Sequence, residues 1–534
     1  MSHRIRTRLP RGQLRLPPHS AAADELSPHL SDAAHYPGGH TPCLYFPSDE
    51  AEVAAVLRNA THILAIGAQS SLTGGATPHG EALVSSARLN QIEHLTDHRV
   101  RCSAGVTLHA LLDDLRIRDA DYPPVPTYAG ATVGGIAATN AAGAATFKHG
   151  CTRDWVEALT VVLANGEVLD IERGAVRAND DGHFAITYSD GHEIEVTRPS
   201  VHMPDVPKIA CGYFSRPHMD LIDLFIGAEG TLGIITTVTL RIVRPRPSKL
   251  LAFVPLADEA AAIALTDELR RAGRVAQHDA LDVAAIEYLD ARSLQILAQD
   301  HAAERLGLKL PEDAGAALLV QVELTGDRQR ADAACAGALD HLSAIVDRHA
   351  ALDAVLVAAP GDERRQAALI ALREAVPDGV NRRIRELQRV HGPAISKAAA
   401  DVIVPFAALA DALAAYREIA AAHGLDVAIW GHISDGNVHP NLMPTDADAA
   451  HRAPLALREI GRAAIARGGA PMSEHGVGRN PVKQQLLVDL YGADGVASMR
   501  AVKDALDPQY KLAPGVIFPA RRPQRLAPPS TSSG

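Results

Sequence analysis

An α+β protein of two or three domains is the fold class this sequence predicts, and three observations predict it. The 534 residues exceed what one hydrophobic core holds together. In the second half, apolar runs alternate with long alanine-rich amphipathic segments, the pattern of an antiparallel sheet with helices packed on one side. In the first half, three long stretches of glycine and other small residues break up the apolar runs and are too poor in bulk to be core.

Composition narrows the class. A hydrophobic content of 47% with 22% charged residues is that of an ordinary soluble globular protein, and a formal net charge of −11 argues against a general nucleic-acid binder. No apolar run approaches a membrane span. Cys43, Cys102, Cys151, Cys211 and Cys335 are dispersed with no C-x-x-C, which removes an iron–sulfur site or zinc ribbon and fits a reducing compartment. Cytoplasm is the expected location. The first fifteen residues hold five arginines and no acid, lack the apolar core of a secretory signal, and read as a disordered basic arm. The Pro- and Ser-rich tail from Pro519 reads as disordered too.

Taken in order, Ser48-Asp49-Glu50 opens a helix through Asn59, with Asp49 and Glu52 at capping-box spacing. The strand Ile63-Leu64-Ala65-Ile66 then runs into Gly67-Ala68-Gln69-Ser70-Ser71-Leu72-Thr73-Gly74-Gly75. A tight loop of small residues and hydroxyls after a strand exposes several backbone N–H groups at once, which suits phosphate oxygens. The second small-residue stretch spans Gly130 to Gly143 and the third Gly227 to Ile234. Between them, Leu159 to Val168 reads as a buried strand with an Asn-Gly turn. None of the three stretches fits G-x-G-x-x-G and there is no Walker loop, so an extended ligand is expected, held in another way.

Past Arg244-Pro245-Arg246-Pro247, Leu250 to Leu256, Ala317 to Leu324 and Ala354 to Ala359 read as strands, and Asp258 to Arg271, Asp327 to His349 and Phe406 to His423 as helices. Asp435-Gly436 is a two-residue hairpin signal. It would pair 434 with 437, 433 with 438 and His432 with His439, bringing both imidazoles within reach of one cation. Two surface histidines beside a turn is the commoner meaning of such a pair. Here Ser473-Glu474-His475-Gly476 follows about thirty residues on and offers a carboxylate ligand and a free histidine.

Four segments together carry a resemblance: S-L-T-G-G, T-V-G-G-I-A-A-T-N-A-A-G, Arg153-Asp154 leading into V-V-L-A-N-G-E, and G-A-E-G-T-L-G-I-I-T. Their order from about Pro42 to Phe518 resembles the vanillyl-alcohol-oxidase superfamily, and within it the FAD-linked D-lactate, glycolate and D-2-hydroxyglutarate dehydrogenases. The resemblance implies a PCMH-type FAD-binding domain of two subdomains over residues 41–247 after an arm at 1–40. An antiparallel-sheet cap over 248–505 and a segment at 506–534 returning to the first domain complete it. Gly67, Ala68, Gln69, Ser70, Ser71 and Leu72 would hold the FAD pyrophosphate, and Thr132, Gly134, Gly135, Asn140 and Gly143 would line the flavin and its ribityl path. Glu229, Gly230 and Ile235 would close over the adenosine side or support the loop. No histidine lies in the Gly67 to Gly75 loop, so the FAD is expected to be non-covalent.

In the cap, the resemblance implies that His432, His439 and Glu474 bind a divalent metal, zinc or alternatively manganese or iron. His475 would be the general base, Arg373 the carboxylate anchor, and Lys397 and Asn441 substrate contacts. Departures are Ser434 for a glycine, Pro481 for a lysine, and Leu512-Ala513-Pro514-Gly515-Val516 without the usual asparagine and lysine. The expected reaction is oxidation of a D-2-hydroxy acid, D-lactate first, to the 2-oxo acid. D-2-hydroxyglutarate stays open through Arg382 and Arg383, as does glycolate. The electron acceptor, a quinone, cytochrome or electron-transfer flavoprotein, is not named by the sequence, and a homodimer or a peripheral place on the inner membrane face is compatible with it. Two competing readings are a flavin-free metallohydrolase using His432, His439 and Glu474, and a flavoprotein subunit acting as scaffold in a larger oxidase.

Overall fold

The computed structural model describes residues 2–274, 281–324, 331–392 and 395–520, so the expected start of a helix at Asp327 and most of the tail beyond Pro519 lie outside the described residues. Four sheets organise the described residues. The first has strand order His19–Ser20, Leu44–Tyr45, Ala82–Ser85 and Ile63–Ile66, the last three parallel. The second is antiparallel in the order Ile92–Thr96, Arg99–Ser103, Ile234–Arg241, Val156–Val162 and Val168–Glu172. Val53, Leu57, Ile63, Val84, Val162 and Ile234 interlock where these sheets meet, beneath the helix Glu50–Asn59.

That helix begins as its sequence demands: the Asp49 carboxylate accepts the Glu52 N–H at 2.8 Å. The return contact is displaced by one residue, because the Glu52 carboxylate accepts from Ser48 N–H at 2.8 Å. The expected Asn-Gly turn forms, with Gly166 at φ +81°.

The amino-terminal arm corrects its sequence reading. Arg4–Arg6 is a strand paired in parallel with His183–Thr187, and Arg8 clamps both Glu50 and Asp170 at 2.5 Å. Those carboxylates answer the arginines the sequence left without nearby acids.

The largest sheet is antiparallel with eight strands. Its path runs Leu356–Ala358, Ser248–Leu256, Ala316–Leu324, Val283–Asp290, Asp426–His432, Asn437–Met443 and Ala398–Ala399, with Val402–Ile403 paired to the Asn437–Met443 strand. Helices cover both of its faces, not one. Leu250, Ala252 and Val254 face the helices Glu259–Arg274, Ala331–Val346, Leu409–Ala422 and Ala447–Ala466, whereas Leu251 and Phe253 face Ala291–Gln299 and Glu363–His391. The cause is legible in Leu-Leu-Ala-Phe-Val, since a strand apolar at every position must be buried on both sides.

Ion pairs and a returning segment are among the contacts that join the halves. Lys148 Nζ lies 2.6 Å from Asp282 and 2.7 Å from Glu323, and His149 Nε2 lies 3.0 Å from Glu323. Residues 511–513 return to pair with Ile63 on the edge of the first sheet.

Candidate active site

The first small-residue loop leaves the strand Ile63–Ile66 and turns back against the helix Val133–Thr139. Thr132 caps that helix by accepting Gly135 N–H at 3.2 Å. Both contacts demand glycine. A Cβ on Gly67 would lie 2.3 Å from Thr132 Oγ1, and one on Gly134 would lie 2.5 Å from Ala104 Cβ. The result is a cavity of about 310 Å³ between loop, helix and the Ile234–Arg241 strand.

Gly67, Ala68, Gln69, Ser70, Ser71, Leu72, Thr132, Gly134, Gly135, Glu229, Gly230 and Ile235 all line this cavity. Asn140 and Gly143, expected there, do not. Asn140 is the left-handed cap of the helix, and its Oδ1 accepts Arg153 N–H at 2.9 Å. Gly143 packs against the Val125 carbonyl, which a Cβ would approach to 2.3 Å. Small side chains, exposed loop amides and the hydroxyls of Ser70, Ser71 and Thr132 fit a flat, phosphate-bearing group such as FAD.

Glu474 and His475 also line the cavity, and they carry it into the cap. Their turn is held from both halves. Buried Asp401 accepts the N–H groups of Glu474 at 2.8 Å and His475 at 2.7 Å, while Glu229 accepts those of Val477 and Gly478, each at 2.8 Å. Burial pushes Glu229 up to about 7 against the downward pull of these amides.

The hairpin expectation fails in its register. Trp430, not His432, is the cross-strand partner of His439, and Ile433–Asp435 forms a short 3-10 turn closed by Gly436 at φ +77°. The 434/437 and 433/438 pairs are absent with it. Gly431 lets the strands close in, since a Cβ there would lie 2.7 Å from Asn437 O, and Asn437 Nδ2 ties the turn outward to Val402 O at 2.9 Å. The slip is two residues, which preserves the face, so the imidazoles become diagonal neighbours with centroids 5.5 Å apart.

Both histidines turn Nε2 toward Glu474, His432 at 3.3 Å and His439 at 3.9 Å. Each has a buried carboxylate behind Nδ1: Glu287 at 2.5 Å for His432 and Asp401 at 3.6 Å for His439. Burial lowers His432, but Glu287 and Glu474 overcome it and raise the imidazole to about 9; for His439 burial wins and the value falls to about 3. Ligand atoms of His432, His439 and Glu474 lie within 4.8 Å of one another, a donor set that fits a divalent cation. His475 stacks on His439 with centroids 5.5 Å apart.

Arg373 reaches this cluster from the helix Glu363–His391, with Nε donating to Glu287 at 2.8 Å. Asn441 donates Nδ2 to the His439 carbonyl at 2.7 Å. Lys397 is half-buried, and its charge acts on His475. Arg383 is engaged elsewhere, by Asp300 at 3.0 Å and Gln299 at 2.8 Å, and Arg382 also binds Asp300.

Sequence reading missed three residues. Glu287 is a lone acid in the otherwise apolar Ala-Ala-Ile-Glu-Tyr-Leu, which was a usable signal. Asp401 precedes Val402-Ile403-Val404 without a local pattern. Lys208, fully buried, places Nζ 2.5 Å from Glu474 and 3.4 Å from Asp435, and nothing in its neighbourhood announces that.

Comparison with known proteins gives the following. A family model described as "FAD linked oxidases, C-terminal domain" matches residues 247–517, and one described as "FAD binding domain" matches 41–172. The chain is 28% identical over 458 residues to glycolate oxidase subunit GlcD of Bacillus subtilis, covering 85% of this chain and 83% of that one. It is 28% identical over 481 residues to a D-lactate dehydrogenase of Anaerostipes hadrus, covering 87% of each. Among solved structures it resembles 4-ethylphenol oxidase from Gulosibacter chungangensis with a TM-score of 0.64, 16% identity and 95% of each chain covered.

Proposed function

The chain belongs to the family of FAD-linked oxidases, and on that premise we propose that it oxidises a D-2-hydroxy acid, D-lactate first, to the 2-oxo acid. One observation carries the proposal: Glu474 and His475 lie in the wall of the small-residue cavity and, at the same time, beside His432 and His439. FAD held in the small-residue cavity would supply an acceptor for the α-hydrogen and its electron pair, and a divalent cation held by His432, His439 and Glu474 would supply a charge that acidifies the substrate hydroxyl.

The remaining work falls on the chain. With Nε on Glu287, the Nη groups of Arg373 are left for the substrate carboxylate. Asn441 has Nδ2 on the His439 carbonyl, which leaves Oδ1 to the substrate hydroxyl. His475 turns Nδ1 toward Asp401 at 3.7 Å, so Nε2 takes the hydroxyl proton. Lys397, whose charge acts on His475, adds positive charge beside the base. D-lactate is favoured over D-2-hydroxyglutarate because Asp300 already holds Arg382 and Arg383.

The test is anaerobic mixing of the flavin-loaded protein with D-lactate, glycolate and D-2-hydroxyglutarate in turn. Bleaching of the flavin absorbance by D-lactate is expected; no bleaching by any of the three sinks the proposal.

A further inference from the structure

Glu287 faces His432 across adjacent antiparallel strands and is 6% exposed. Its two carboxylate oxygens have different partners: Oε1 lies 2.5 Å from His432 Nδ1, and Oε2 accepts from Arg373 Nε at 2.8 Å. Resting on the function just proposed, we propose that Glu287 is a positioning residue that fixes the cation-binding and carboxylate-binding arms of the site to one another.

The chemistry is specific. A carboxylate behind Nδ1 holds a proton there and leaves Nε2, which faces Glu474 at 3.3 Å, as the atom that would meet a cation. The same carboxylate stops the Arg373 guanidinium from rotating about its long side chain, so its Nη groups stay aimed. Both neighbours are donors. Only a group that accepts at both ends serves both, and an amide cannot, since its NH₂ would meet one of the two donors.

The test compares wild type, Glu287→Gln and Glu287→Asp as flavin-loaded proteins, measuring zinc affinity by chelator competition and the KM and kcat for D-lactate. Glu287→Gln is expected to keep its flavin spectrum, bind zinc about 10- to 100-fold more weakly and raise KM about tenfold. Glu287→Asp is expected to recover part of both, and it decides the matter should the amide variant not fold. Wild-type zinc affinity and KM in Glu287→Gln overturn the inference alone. A wild type that takes up no zinc overturns it together with the cation reading. Zinc binding by wild type without bleaching by any D-acid removes the proposed substrate class, and the zinc comparison still decides the role of Glu287.

Discussion

Gly478 lies against Thr73 so closely that a Cβ on the glycine would sit 2.2 Å from Thr73 Oγ1 and 2.4 Å from its carbonyl oxygen. The contact joins the turn bearing Glu474 and His475 to the loop expected to hold the FAD pyrophosphate. Because Gly478 also has φ +58°, alanine there meets both a backbone clash and an unfavourable conformation. Gly478→Ala is expected to lose about 2 kcal/mol or more of stability and part of its flavin, read by thermal melting and the flavin spectrum of the purified protein.

Removing an imidazole from the cap should leave the cavity of the other half intact. His439→Ala is expected to lose its divalent cation on dialysis while keeping flavin. Metal analysis beside an ultraviolet-visible spectrum checks this, and simultaneous loss of both would contradict the separation of the two sites.

His475→Ala keeps all three proposed cation ligands and removes the proposed proton acceptor. A fall in kcat of about 10²- to 10⁴-fold is expected, with flavin and metal contents unchanged, measured under anaerobic single-turnover conditions.

The two arginine groups on the long helix should separate cleanly. Arg373→Ala is expected to lower kcat/KM for D-lactate about 10- to 150-fold, the worth of a charged hydrogen bond. Arg383→Ala, whose partners are Asp300 and Gln299, should change it less than threefold by the same assay. Equal losses would mean that Arg383 also faces the substrate.

Glu323 links the halves and sets an acid limit on stability. Burial pushes its carboxyl up, but His149 and Lys148 overcome that and hold it down to about 2. A depressed carboxyl contributes stability that is present above its unfolded value and lost as pH falls through its folded one. The contribution, roughly 3 kcal/mol, is therefore full at neutral pH and disappears between about pH 4.5 and about pH 2. Urea unfolding should show Glu323→Gln less stable than wild type by about that amount at pH 7, with the gap closing toward pH 2.

Much of the site was legible because its residues sit in short local patterns. The loop from Gly67, the helix capped by Thr132 and the pair Glu474-His475 each carry their geometry in neighbouring residues, and the structure brings them to one cavity. The hairpin register was not legible. Asp-Gly suits a tight turn, but Val402 draws Asn437 outward and Glu287 draws His432 onto another strand, and neither lies near in sequence. Asn140 lies in the right stretch, but it caps its helix in the left-handed conformation and gives its Oδ1 to the Arg153 N–H, a partner 13 residues on that the local pattern does not name. The amino-terminal arm failed for the same reason, since Glu50 and Asp170 are what order it.

Ile63 receives its last backbone partners from Lys511 and Ala513, at 2.8 and 2.7 Å. On a ribosome, that sheet edge stays open while some 450 further residues are synthesised, exposing unpaired N–H and C=O groups throughout. The segment at 511–513 therefore completes the first sheet last, joining an edge strand to residues made about 450 positions later.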